Sequence, residues 1–117
     1  VLDISETALQ NAKQRLGARA EAVQWIATDI CDFKPRTRYA LWHDRAAFHF
    51  LTNAEKRERY RAVAQKALAK DGKLIVGPFS LDGPERCSNL PVHRCNADEL
   101  KAEFSPAFIA EKCERIF

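Results

Sequence analysis

The alternation of short apolar runs with helix-start signals constrains this chain more than any other feature. Val1-Leu2 leads into Asp3-Ile4-Ser5, an apolar strand that ends in an acid and passes straight into a helix. Ser5 can cap that helix, which carries Leu9, Ala12 and Leu16 at helical spacing and is closed by Gly17. Val23-Gln24-Trp25-Ile26-Ala27 reads as a second strand delivering Thr28-Asp29, and Tyr39-Ala40-Leu41-Trp42 as a third ending at His43-Asp44-Arg45. Asp32 to Arg38 between them is a polar loop containing Pro35. Thr52-Asn53-Ala54-Glu55 reads as a capping box, and Tyr60, Val63, Ala64, Ala67 and Leu68 form one apolar stripe before Gly72 ends the helix. Lys73-Leu74-Ile75-Val76 is a buried-type strand, followed by a long segment, 77–95, holding Pro78, Gly83, Pro84 and Pro91. Asn96-Ala97-Asp98-Glu99 opens a last helix with Leu100 and Phe104 inward, stopped before Pro106, and Phe108 to Phe117 reads as a further strand. Strands alternating with helices, with no hairpin signal, predict an α/β fold: a mostly parallel sheet with helices on both faces.

Size and composition narrow the class. A chain of 117 residues has room for one domain and one core. With 46% hydrophobic and 30% charged residues it is expected to be globular rather than disordered. The net charge of +3, from 19 basic and 16 acidic residues, is too mild and too dispersed to indicate a nucleic-acid partner. No apolar run reaches the ~20 residues of a membrane span, and no signal peptide is evident, so no membrane partner is expected. Methionine is absent even at position 1, which fits an internal piece of a longer chain. Cys31, Cys87, Cys95 and Cys113 are widely spaced, without a C-x-x-C pair or a zinc-ligand pattern. They predict reduced thiols, a cytoplasmic setting and no metal site.

Several side chains could carry chemistry. A carboxylate at the end of a strand, just before a helix, suits the hydroxyls of a ribose in a doubly wound fold, and Asp3 has that position. The same acid would serve a nicotinamide dinucleotide equally well, and a simpler alternative is an acid favoured by the positive helix terminus. The strand carrying such an acid is normally second in its sheet, so a first strand with a glycine-rich loop is expected upstream of Val1. Asp29 ends the next strand, where a turn acid bonding its own backbone is the simpler reading. His43 is a candidate general base or substrate-orienting group, since an unperturbed imidazole titrates near ~6.5. The alternative is structural, with His43 or Asp44 bonding backbone at a helix start. Trp42, Phe48 and Phe50 are expected to pack, and His49 to be a satisfied core or boundary histidine. Ser80, Asp82, Arg86, Cys87 and His93 lie on the long segment, where α/β proteins recognise substrate; Asp82, Arg86 and His93 are the substrate candidates. No neighbour in sequence would activate Cys87 as a nucleophile. The charges from Glu55 to Arg61 read as a solvated helix face.

One resemblance is specific. Val1-Leu2-Asp3-Ile4-Ser5, Ala27-Thr28-Asp29-Ile30, and the run from Leu41 to Thr52 (LWHDRAAFHFLT) together resemble class I S-adenosylmethionine-dependent methyltransferases, most closely the small bacterial "methyltransferase type 12" proteins. The stretch Leu81 to Ser88, with Leu90-Pro91-Val92, is similar to that subgroup's segment after its fifth strand. The resemblance spans nearly all of residues 1–117. It implies a partial, Rossmann-like methyltransferase domain, second strand through sixth. The first strand with its G-x-G-x-G loop and the seventh strand are absent. It further implies S-adenosylmethionine as cofactor, held by Asp3 and Ile4 at the ribose, by Asp29 and the Ile30 amide at the adenine, and by His43 and Asp44 near the reactive end. The reaction implied is methyl transfer to a small-molecule acceptor. A nicotinamide-dependent oxidoreductase and a non-catalytic remnant acting through protein contacts are the alternatives. The resemblance places the absent first strand between the strands ending at Asp3 and His43. Its absence would expose sheet edges, predicting poor folding, self-association and very weak cofactor affinity.

Overall fold

The structure is a computed structural model that describes residues 1–116. The chain divides into two compact units, Val1–Lys34 and Pro35–Phe117.

The first unit begins with β1 (Leu2–Asp3) and α1 (Glu6–Leu16). Ser5 caps α1 as expected, its Oγ accepting from the Ala8 amide at 3.1 Å. Gly17 closes the helix at φ 60°, a backbone region that a Cβ would strain, and its N–H donates to the Lys13 carbonyl. The expected strand over 23–27 shortens to β2 (Ile26–Ala27), because a 3-10 turn, Gly17–Ala22, carries the chain on first. The Trp25 indole then donates back to the Ala20 carbonyl at 3.0 Å, and the ladder starts only where the Ile26 amide meets the Val1 carbonyl at 2.9 Å. β1 and β2 are parallel, with Leu2 opposite Ile26 and Asp3 opposite Ala27. A short 3-10 turn, Ile30–Asp32, follows β2.

In the second unit, β3 (Tyr39–Asp44) runs parallel to β4 (Leu68–Val76), and α2 (Ala54–Ala67) crosses from one to the other and packs against β4. The stripe predicted from α2 is the core: Tyr60, Val63, Ala64, Ala67 and Leu68 are all buried, with Phe48 and Phe104 beside them. Two local expectations are corrected. Asn53, not Thr52, caps α2, its Oδ1 accepting from the Glu55 and Lys56 amides. The helix ends at Ala67 rather than at Gly72, because Leu68 is already extended, pairs with Tyr39, and has its carbonyl bonded by the Arg38 guanidinium at 3.2 Å. Residues 69–72 then bulge opposite the single residue Ala40, since Tyr39 pairs with Leu68 and Leu41 with Lys73. Gly72 sits in the bulge's tightest place: an added Cβ would lie 3.0 Å from the Ala69 carbonyl oxygen and 3.1 Å from that of Tyr39.

The segment after β4 is not a plain loop. It contains an antiparallel hairpin, β5 (Arg86–Cys87) and β6 (Leu90–Pro91), turning at Ser88 and Asn89, both with positive φ. This corrects the expectation of a chain without hairpins, and Asn in a two-residue turn was the available signal. α3 (Ala97–Phe104) starts where expected, with Asn96 and Glu99 forming a capping box, and buries Phe104, while Leu100 is half-buried. The last expected strand does not form over 108–116, and Phe117 lies outside the described residues. That stretch finds no ladder; Lys73–Glu111 and Arg115–Asp82 ion pairs tie it down by side chains, with Ile109 and Ile116 exposed. The observed fold is mixed α/β, with a two-stranded parallel pair in each unit.

Candidate functional site

Parallel pairing brings the ends of β1 and β2 to the same edge of the first unit. The Thr28 amide donates to the Asp3 carbonyl at 3.1 Å, so Asp29 follows directly on the residue bonded to the end of β1. Each carboxylate is half-buried and oriented by one local hydrogen bond. Asp3 Oδ1 accepts from the Ser5 amide at 2.7 Å, and Asp29 Oδ1 from the Cys31 amide at 2.9 Å. Both are turn-stabilising contacts of the kind that acids make on their own backbone. They fix each carboxylate's direction without exhausting it, since an ionised carboxylate has about four acceptor sites. Ile4 is exposed, and Ile30 is the first residue of its 3-10 turn, where helical geometry provides the amide with no partner. A charged acceptor pair and a spare amide at one strand edge suit a polar ligand bearing hydroxyl and amino donors.

At the end of β3 the structure separates two neighbours that the sequence placed together. His43 is exposed and pairs in the ladder with Ile75. Asp44 is buried, and both its oxygens are taken up inside the unit. Oδ1 accepts from the Ala47 amide at 2.8 Å; Oδ2 accepts from the Phe48 amide at 2.9 Å and from the Tyr60 hydroxyl. The Trp42 indole in turn donates to the Tyr60 oxygen at 3.0 Å. Asp44 is therefore the anchor of the turn after β3, where Ala46 is held at φ 81°, rare for a residue with a Cβ. Sequence pattern did not mark Tyr60 as anything but core; its hydroxyl role depends on a contact made across sixteen positions.

The expected substrate residues of the 77–95 segment, Asp82, Arg86 and His93, each bond to a different partner. Asp82 is exposed and accepts from Ser80 Oγ at 2.6 Å and from Arg115. The hydrogen bond from Arg115 leads the effects that hold its carboxyl at about 2, below the usual range. Arg86 donates to the Asn89 carbonyl of its own hairpin at 2.9 Å. His93 donates its amide to the His49 carbonyl at 2.6 Å. His49 itself was expected to be satisfied and is not. It is 1% exposed, and neither ring nitrogen has a hydrogen-bond partner. Its ring lies against Phe50 and Phe79, with centroids 4.4 and 4.9 Å away. Burial lowers its pKa, against the opposing charge of Asp44. Burial also raises the Cys95 thiol to about 11. None of the four cysteines is in a disulfide.

Comparison with solved structures gives one informative likeness: the crystal structure of Streptomyces venezuelae DesVI, with a TM-score of 0.60 at 21% identity. The match covers 69% of this chain and 33% of DesVI, so the chain spans about a third of the length of that protein. At this identity the likeness shows the fold. No known family's sequence profile matches the chain, and no curated protein matches it. Among the described residues, no helix is long and apolar enough to cross a membrane, and no cluster of three His, Cys, Asp or Glu side chains could hold a metal ion.

Proposed function

We propose that the chain is part of a class I methyltransferase domain whose β1–β2 edge holds the nucleoside of S-adenosylmethionine. The observation that supports this reading is the parallel register that pairs Asp3 with Ala27, two residues before Asp29, so that both acids leave the same edge of the unit, each with acceptor capacity left over. The likeness to DesVI, a likeness of fold alone, is compatible with the same reading. In it, the Asp3 carboxylate and the Ile4 backbone face the ribose hydroxyls. Asp29 accepts from the adenine amino group, and the Ile30 amide donates to a ring nitrogen. A carboxylate beside an amide matches the donor–acceptor edge of adenine.

The bound cofactor would supply an activated methyl group. Transfer of that group asks the protein for alignment and a dry site more than for proton transfer. Exposed His43 has a positioning part in this reading, orienting a small polar acceptor, while Asp44 keeps the turn beside it in shape. The turn's strain is the cost of that shape, offset by three hydrogen bonds to one carboxylate.

The test is a titration with S-adenosylhomocysteine of the wild type and of Asp3→Asn. The amide variant retains an acceptor for Ser5 and loses the charge. Binding at least tenfold weaker in the variant, with unchanged helix content, supports the assignment. Equal affinities remove Asp3 from the site.

A further inference from the structure

The 77–95 segment meets the 3-10 turn Phe48–Phe50 through two histidines. The His93 amide donates to the His49 carbonyl at 2.6 Å, the Phe79 ring covers the His49 ring, and the His93 ring stands edge-on to Phe48 at 6.3 Å. Within the segment the chain is tied to itself. The Val92 amide donates to the Glu85 carbonyl, the Cys95 amide to that of Phe79, and Arg94 to that of Gly83. It is thus a self-bonded flap attached to the turn at a histidine pair.

A neutral imidazole tolerates enclosure by aromatic rings far better than an imidazolium does, because the charged form loses its hydration and here gains no acceptor. His49 has no acceptor at either nitrogen. We propose that His49 and His93 form a proton-sensitive clasp, holding the 77–95 segment on the Phe48–Phe50 turn while both rings are neutral and releasing it when they are protonated.

The surrounding charges oppose this only in part. Asp44 on β3 is the charge acting on His49, and it favours protonation, but burial outweighs it. His93 feels burial first and then Arg57 of α2, both disfavouring its charge, against Glu103 and Glu99 of α3. Glu103 is itself held by Arg57 and Arg61, each at 2.8 Å, which blunts its pull. Cys95, with its raised pKa, stays neutral across the relevant range. The sign follows from linkage. Both rings bind protons less readily when clasped than when released. The closed state is therefore fully favoured above the ordinary histidine value of ~6.5. It weakens by up to about tenfold per pH unit for each ring as pH falls below that value, until the clasped pKa is crossed. The inference is independent of whether the β1–β2 edge binds a cofactor.

Hydrogen exchange resolved by residue tests it, with the His93 amide as reporter and the Val92 amide as control inside the flap. From pH 7 to pH 5, corrected for intrinsic exchange, protection at His93 should fall more than tenfold while Val92, α2 and β4 hold theirs. In His49→Leu the fall should shrink, and in the His49→Leu/His93→Gln pair it should vanish. A double variant that falls like the wild type would overturn the clasp, as would wild-type loss shared equally by α2 and β4. Should either variant fail to fold, the wild-type ring titrations serve alone: both histidines must titrate below ~6.5, and His49 titrating at or above that value refutes the proposal.

Discussion

Tyr60→Phe removes one oxygen and leaves the ring, so it isolates the hydroxyl at the centre of the Trp42–Tyr60–Asp44 chain. The hydroxyl is fully buried, donates to the Asp44 carboxylate and accepts from an indole N–H. A hydrogen bond to a charged group is worth about 1.5–3 kcal/mol, and a half-buried indole left without its acceptor adds roughly 1 kcal/mol at most. Packing against Trp42, Phe48 and Phe104, with ring centroids 5.5, 5.1 and 6.2 Å away, is retained by phenylalanine. The expected loss is about 2–3 kcal/mol, a large part of the roughly 5–15 kcal/mol available to a small domain. With a urea m-value of about 1.5 kcal/mol/M, the midpoint should fall by about 1.3–2 M at unchanged slope. A double-mutant cycle with Asp44→Asn should show coupling of at least ~1 kcal/mol, since the two groups touch. A loss under ~0.5 kcal/mol, or strict additivity, would refute the view that this chain of bonds holds the turn after β3.

Three further outcomes follow from backbone and charge. Ala46→Gly should raise stability by up to ~1 kcal/mol in the same urea assay, because glycine accepts φ 81° without the left-handed penalty of about 1–2 kcal/mol that offsets its own entropy cost. Gly72→Ala should lower it by about 1–3 kcal/mol, since the new methyl meets two backbone oxygens that cannot move aside freely. For Asp82, a carboxyl titration followed by NMR should show a midpoint near 2, rising toward the ordinary value in Arg115→Ala. Any contribution of that ion pair is present above pH 4 and disappears only as pH falls through about 2.

Local signals proved readable where one residue and its immediate neighbours settle the outcome. Ser5, the helix start at Asn96 and the apolar stripe from Tyr60 to Leu68 stand where the pattern put them. Thr52 and Asn53 are both good caps, and spacing to Glu55 alone could not choose between them. The end of α2 was hidden because Leu68 continues the helical stripe yet is drawn into β4 by Tyr39 and Arg38, thirty positions away. Residues 108–116 have strand-like composition, but a strand needs a partner ladder, which composition does not report. Asp3 stands at the end of β1 as element order implied, whereas Asp29 lies two residues beyond β2 as the cap of a 3-10 turn. The inward turn of Asp44 and the unpaired burial of His49 arise from tertiary contacts with Tyr60 and Phe79, and leave no trace in spacing.

The β1–β2 edge is proposed above as a nucleoside site. Residue-resolved amide shifts during titration with S-adenosylhomocysteine test it most directly, at millimolar ligand to cover weak binding. The account predicts saturable shifts concentrated at Ile4, Ser5, Thr28, Asp29 and Ile30, and larger with adenosine than with guanosine as the competing probe. Absence of saturable shifts at those amides, or equal response to both nucleosides, would contradict it.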